Sequence, residues 1–433
     1  MRSKTGIKIT DEYKKVKQLI NDETPVVFVT GKAGTGKSTL IQHLRSTIKG
    51  NCVVLAPTGV AAMNIQGATI HSFFRFPPRT LGDGDVKAVA YSRPYETLDL
   101  LILDEVSMVR ADVLDAIDRF LRLNGPHKNQ PFGGVQVLLV GDLHQLPPVV
   151  ASREDAHYFG TEYKSPFFFS CHALAQTEVQ AVELTHIFRQ KDRKFIDILN
   201  SIRIGSPNSD LLNEINARVT PKVDSLREIV LSTTNLIADR INKQHLAALP
   251  SDAEMYVGAL DGKFNITNDR LPSPMELLLK PGARVMFTKN DPEGRWVNGS
   301  LALVKKLTKK SIRVTMDENG ETVDVEKTKW ETYRYEFDED EERNVPVMTG
   351  SFKQLPLTHA WAITIHKSQG KTLSAARIDL GQRAFAPGQV YVALSRCRRL
   401  KDLSLSRPIA AKDVFCDGRV KAFYESMLGQ PGM

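Results

Sequence analysis

Apolar residues recur along the chain in short unbroken runs, at 26–29, 53–56, 100–103 and 135–140. Runs this short suit strands buried on both faces better than helices. Between them the spacing changes. Thr10-Asp11-Glu12 is a helix-start signal, and Val16, Leu19 and Ile20 then share one face, which predicts a helix over 10–22. Helical spacing also covers 38–49, ending at Gly50, and 112–123, ending near Gly125. Strands alternating with helices predict a parallel sheet covered on both faces. Ligands of such sheets gather at the carboxyl ends of the strands, so the polar residues just after each run carry the chemistry.

The second half repeats this grammar once and then departs from it. Residues 228–235 followed by Ile237, Ile241 and Leu246 read as strand, loop and helix. Together with 357–370 and 376–397 they predict a second parallel sheet. Short apolar strands at 283–288 and 301–304 flank Asn298-Gly299. Ile312, Val314 and Met316 alternate before Glu318-Asn319-Gly320, and Val323 and Val325 alternate after it. Asn-Gly between alternating strands predicts a hairpin, and the whole a small antiparallel barrel. Residues 65–98, rich in Arg, Pro, Gly and Asp, read as a loop or small insertion in the first domain. Residues 336–342 are almost all acidic and read as a solvated loop.

Composition narrows the class. The chain has 433 residues, enough for two or three domains, with 42% hydrophobic and 25% charged residues. A net charge of +8 favours a polyanionic partner. Cys52, Cys171, Cys397 and Cys416 are too scattered for a disulfide framework, which suits a reducing interior. No apolar run approaches a membrane span, and Met1–Gly6 lacks the apolar core of a signal peptide, so a soluble intracellular protein is expected.

The first strand runs into Gly31-Lys32-Ala33-Gly34-Thr35-Gly36-Lys37-Ser38 and then a helix. Strand, glycine-rich loop and helix in that order make a P-loop, whose backbone N–H groups cradle a triphosphate. Gly31, Ala33, Gly34, Thr35, Gly36, Lys37, Ser38 and Thr39 are the expected ATP contacts, with Lys37 on the β- and γ-phosphates. After the run 100–103 comes Asp104-Glu105. Asp104 and Ser38 are placed to hold Mg²⁺, and Glu105 to polarise the attacking water. After the run 135–140 comes Gly141-Asp142-Leu143-His144-Gln145-Leu146-Pro147-Pro148, where Gln145 could sense the γ-phosphate. Thr58, Thr69 and His71 offer groups suited to phosphate oxygens of a single strand. Phe73 and Phe74 fit base stacking or core packing equally well.

In order, GKAGTGKS, APTGVAA, TIHSFF, LDEVSM and GDLHQLPP are similar to the successive motifs of superfamily 1 helicases. LTHIFRQ (184–190) resembles the fourth motif, TIHKSQGKT (364–372) the fifth and VYVALSR (390–396) the sixth. Met108 through Arg122 resembles a signature helix of the petite-integration-frequency family of 5′-to-3′ DNA helicases, in superfamily 1B. The resemblance covers roughly residues 10–405. One departure is that family members often carry Gln before the P-loop in a Thr-x-Glu-Gln context, whereas Tyr13 follows Thr10-Asp11-Glu12 here.

The resemblance implies two RecA-like α/β domains, 1–180 with a wedge insertion at about 65–98 and 181–433 with an SH3-like barrel insertion at about 290–350. It implies ATP and Mg²⁺ as cofactors, with Lys37, Glu105, Gln145, Arg189 and Arg396 as catalytic groups. Both arginines are expected to reach the γ-phosphate from the second domain. Gln369 and Gly370 are expected on nucleotide and His366 and Lys367 on DNA, with Thr58, Thr69, His71 and Phe74. Phe74, Phe76, Pro77 and Pro78 are the wedge candidates. The implied activity is unwinding of tailed duplex, and of G-quadruplex or RNA–DNA hybrids, by a monomer that can assemble on DNA. The implied roles are in repair, recombination and telomere maintenance. The alternatives are a single-strand translocase or recombination-nuclease motor subunit, an ATPase acting on protein or metabolites, and a binding module with a vestigial site.

Overall fold

A computed structural model describes residues 9–48, 50–150, 152–221, 228–264, 266, 271–309 and 311–429. The reading of Met1–Gly6 lies outside them. The strands in chain order are β1 Val26–Gly31, β2 Cys52–Ala56, β3 Ala68–Thr69, β4 Leu100–Leu103, β5 Gln136–Val140 and β6 Val179–Leu184. All six pair in parallel in the order β3-β2-β4-β5-β1-β6. The four apolar runs are four of these strands. Along β1, Val26 and Phe28 enter one core and Val27 and Val29 the other, so both faces are covered and no polar position interrupts the run. The helix Asp11–Asn21 buries Tyr13, Val16 and Ile20 against one face, and Thr10 caps it. The helix Lys37–Thr47 buries Leu40, Ile41 and Leu44 on the same side.

The helix Ala111–Asn124 covers the other face, and its acids act as staples. Asp112 accepts from Arg110 and from the Leu81 amide, Asp115 from the amides of His172 and Ala173, and Asp118 from Arg122 and the Phe132 amide. The segment 65–98 is likewise stitched down rather than projecting. The Val89 amide donates to Asn124 and Arg110 donates to the Arg79 carbonyl. Phe74 is 1% exposed and Phe76 5% exposed. Phe74 stacks on Phe76 and meets Phe120 edge-on at 5.2 Å, inside the aromatic core. The expectation that Phe74 contacts DNA, with Phe76 beside it as a wedge, is therefore corrected: a ring enclosed by rings has no face left for a base.

The second domain is built on β7 Ile229–Ser232. An antiparallel region follows, with β8 Glu254–Val257, β9 Ala259–Gly262, β10 Glu276–Leu279, β11 Arg284–Phe287, β12 Leu301–Leu307, β13 Ser311–Met316, β14 Thr322–Glu326, β15 Thr328–Asp338, β16 Arg343–Gln354 and β17 Leu357–His359. The chain then returns to β18 Ala362–Thr364, β19 Ala376–Asp379 and β20 Leu403–Leu405. β18-β7-β19-β20 form the second parallel sheet. The antiparallel strands thus span 254–359 rather than 290–350, in sheets β14-β13-β12-β11-β17, β15-β16-β9 and β10-β8.

Two features tie the halves together. The hairpin β15–β16 reaches back to the first domain, where Tyr335 joins its core and the Asn344 amide donates to Asn51 at 2.7 Å. The acidic segment 336–342 is the tip of this hairpin. The helix Gly418–Leu428 also returns, with the Tyr424 and Thr30 hydroxyls 2.7 Å apart and Phe423 against Phe28. The boundary expected at 180/181 falls inside β6, a strand of the first sheet that no apolar run marks because only Val182 and Leu184 are buried in it.

Candidate nucleotide cleft and nucleic-acid face

The P-loop leaves β1 at Gly31 and ends at the helix Lys37–Thr47. Gly34 and Gly36 hold φ near 84° and 87°, a region side chains avoid. A Cβ on Gly34 would lie 2.5 Å from the Arg189 Cβ, so only glycine lets the 184–190 segment close on the loop. The Phe188 amide donates to the Gly34 carbonyl at 2.8 Å. Lys37 Nζ folds over the loop, donating to the carbonyls of Gly31 (2.7 Å) and Lys32 (3.1 Å). Burial pushes its pKa down, opposed by Asp142 and then Glu105. Ser38 is exposed at the start of the helix.

Asp104 ends up buried beyond β4, accepting from the Glu105 amide at 2.9 Å. Burial, reinforced by the Glu105 charge, pushes its carboxyl up to about 7. Glu105 holds φ 50° and ψ 44°, a left-handed conformation that costs a non-glycine residue free energy. Its carboxylate accepts from Gln369 Nε2 at 3.2 Å, a contact from the second domain. Gly370 follows with φ 76°.

Asp142, fully buried, is the polar centre of the cleft. Arg203 Nη2 lies 3.2 Å from its Oδ1, and Tyr391 Oη donates to its Oδ2 at 3.2 Å. Burial works to raise the Asp142 pKa, but Arg203 and then Lys37 overcome it and hold the carboxyl below its ordinary range. Gln145 is buried with Nε2 at 3.5 Å from the same carboxylate.

Arg189 and Arg396 meet beside this centre. Arg189 is placed differently from expectation: it follows β6, the last strand of the first sheet, and so lies on the interdomain connection. Its Nη1 donates to the Ser395 carbonyl at 3.3 Å. Arg396 is 1% exposed and donates to the carbonyls of Val392, Ser368 and Lys371 and to Ser395 Oγ. None of these acceptors is a carboxylate. Burial and then the Arg189 charge push its pKa down to about 9.

The nucleic-acid candidates sit at strand ends. Pairing of Ala56 with Thr69 puts Thr58 and Thr69 at one edge of the first sheet. Both hydroxyls cap short helices, accepting from the amides of Ala61 and Ser72. His71 is half-buried two residues after Thr69. His366 and Lys367 are exposed just past β18, at the carboxyl end of the second sheet. Phe74 is not among this group, as its burial shows.

A Pif1 helicase from Bdellovibrio bacteriovorus is 33% identical to this chain, the match covering 93% of this chain and 89% of the relative. The chain belongs to the PIF1-like helicase family. The model of that family matches residues 8–211. The mouse ATP-dependent DNA helicase PIF1 is also 33% identical, over 93% of this chain, and this chain spans 60% of its length. The Bacteroides Pif1 structure with ADP-AlF4 superposes with TM-score 0.89 at 36% identity, covering 98% of each chain. A Bacteroides Pif1 structure bound to single-stranded DNA superposes with TM-score 0.70 at 36% identity, covering 98% of each chain.

The roles of three residues of this PIF1-like chain escaped the sequence reading. Tyr391 lies in an apolar run, yet its hydroxyl accepts from the Ala33 amide of the P-loop at 2.9 Å while donating to Asp142. Arg203 closes an amphipathic helix, Arg193–Arg203, where arginine normally marks a solvated end. Tyr13, noted above only as a departure in sequence, donates its hydroxyl to the Gly36 carbonyl at 2.7 Å and so braces the loop.

Proposed function

We propose that the protein is an ATP-dependent DNA helicase that translocates 5′ to 3′ along single-stranded DNA. The observation that carries the reading is the pair formed by half-buried Arg189, pressed against Gly34 of the P-loop, and buried Arg396, neither with a carboxylate acceptor among the described residues. A cationic pocket of that kind is completed by an anion that comes and goes, and the γ-phosphate of ATP has the right charge and place.

In this reading Lys37 exchanges its loop carbonyls for the β- and γ-phosphates. Glu105 orients the water, and its strained backbone and its bond to Gln369 couple that step to the second domain. Gln145 and the two arginines take up the charge that develops on the transferred phosphoryl group. Ser38 and Asp104 are oxygen donors of the kind Mg²⁺ prefers, and the easily neutralised Asp104 carboxyl suits a position where a cation replaces a proton. Magnesium, when bound, offsets phosphate charge.

Thr58, Thr69 and His71 on one sheet and His366 and Lys367 on the other form two grips, and closure of the cleft changes their separation. The lower TM-score against the DNA-bound relative supports domain positions that change on DNA binding. Direction, action on G-quadruplexes or RNA–DNA hybrids, and roles in repair, recombination and telomere maintenance rest on the family resemblance. Among the described residues no helix is long and apolar enough to cross a membrane.

Burial of Phe74 and Phe76 withdraws the aromatic half of the expected wedge and leaves Pro77 and Pro78, and that weaker wedge favours a second reading, a translocase that separates little duplex. ATP-dependent unwinding of duplexes carrying a 5′ or a 3′ tail distinguishes the two. Unwinding of the 5′-tailed substrate alone supports the helicase. ATP turnover stimulated by single strands, with neither substrate unwound, supports the translocase.

A further inference from the structure

A cavity of about 450 Å³ is lined by Lys32 of the P-loop and not by Ser38. Lys32 and Glu183 line it from the first domain, Arg203 from the helix Arg193–Arg203, and Lys421 and Tyr424 from the returning C-terminal helix. Its described lining therefore holds three cations and one carboxylate. His144 also faces it, but burial pushes that imidazole down to about 3, so the ring adds no charge near neutrality.

The partition between this cavity and the nucleotide site is thin. On one side it is Lys32, whose side chain lines the cavity while its carbonyl accepts from Lys37 Nζ at 3.1 Å. On the other it is the ion pair Arg203–Asp142, with Arg203 in the cavity wall and Asp142 within the electrostatic reach of Lys37. Burial, and then repulsion from Arg203, push the Lys32 pKa down, so its ammonium lacks full compensation. Asp142 is held jointly by the first domain, by Arg203 and by Tyr391. Cleft opening that shifts Arg203 relative to Asp142 would join the two spaces.

We propose that this cavity is an exit site for inorganic phosphate. The dianion cut from ATP passes the Asp142–Arg203 pair, is held by Lys32, Arg203 and Lys421, and leaves past the exposed Thr185 at the rim. Excess positive charge in a partly enclosed space attracts an anion, and the volume accommodates a phosphate with water. This rests on ATP hydrolysis at the P-loop, as proposed above, and assigns the next step of the cycle.

Lys421 tests it, because it touches only the cavity end of the route. In the full chain with ATP and single-stranded DNA, chemical quench measures bond cleavage and a fluorescent phosphate-binding sensor measures release. For Lys421→Glu, cleavage is expected at the unchanged rate, with release slowed at least about fivefold by the reversed charge. Lys421→Arg is expected to restore release. Release that keeps pace with cleavage in Lys421→Glu overturns the proposal, and so does a parallel loss of both. Weaker inhibition by added phosphate together with unchanged release also overturns it, since the cavity would then take phosphate only from solution. Cleavage by the unaltered protein in the same quench reports separately on the ATPase reading.

Discussion

Two arginines buried in the same cleft are treated in opposite ways. Arg203 has a carboxylate, Asp142 at 3.2 Å, and that partner is itself held by Tyr391. Arg396 has only carbonyls and a hydroxyl, with a second guanidinium, Arg189, close enough to lower its pKa. A buried ion pair is largely self-compensated and costly to break. An uncompensated pair of cations is an open one, held in place by backbone dipoles and short of an anion. The first belongs to the joint between domains and the second to chemistry.

The difference is tested most severely by truncating each arginine. Arg396→Ala is expected to reduce single-strand-stimulated ATP turnover by about three orders of magnitude or more. Its stability should fall by less than that of Arg203→Ala, because the groups it leaves unpaired are neutral carbonyls and a hydroxyl rather than a buried carboxylate. Arg203→Ala leaves Asp142 buried without its cation and is expected to cost about 3–5 kcal/mol of stability, read by denaturant titration. Comparable stability losses in the two variants would erase the distinction.

A smaller effect concerns the proton on Asp104. Its pKa in the folded protein, about 7, exceeds the ordinary 3.8. The folded state therefore binds that proton more tightly than the unfolded chain. The contribution of Asp104 to stability falls as pH rises from 3.8 through about 7. Titration of the ligand-free protein should show this slope, and Asp104→Asn should flatten it. Binding of ATP with magnesium at about pH 7 should release part of a proton, seen as a buffer-dependent heat, and omission of magnesium should suppress it.

The smallest expected change is at Phe74. Phe74→Leu keeps most of the core volume and should cost less than about 1.5 kcal/mol, with unwinding per folded molecule unaltered. A selective loss of unwinding would return Phe74 to the DNA face.

How much of this was legible in the sequence follows from what a local pattern can encode. Strands buried on both faces print as unbroken apolar runs, so β1, β2, β4 and β5 were readable, while β6, with alternate positions half-buried, was not. The P-loop and Asp104-Glu105 were readable because loop geometry and a strand end fix them locally. Arg203 and Tyr391 were not, because their partners, Asp142 and the Ala33 amide, lie far away in the chain and neither residue type marks a site by itself. Phe74 misled for the opposite reason: an aromatic pair beside hydroxyls looks the same whether it faces a base or, as here, Phe120 and Tyr95.

Thermal shift with ADP and with ADP–aluminium fluoride, on the unaltered protein and on Arg396→Ala, tests the open arginine pair most directly. The unaltered protein should gain a clear increment from the aluminium fluoride beyond that from ADP, and Arg396→Ala should keep the ADP shift and lose the increment. An increment of undiminished size in Arg396→Ala would contradict a cleft completed by the γ-phosphate.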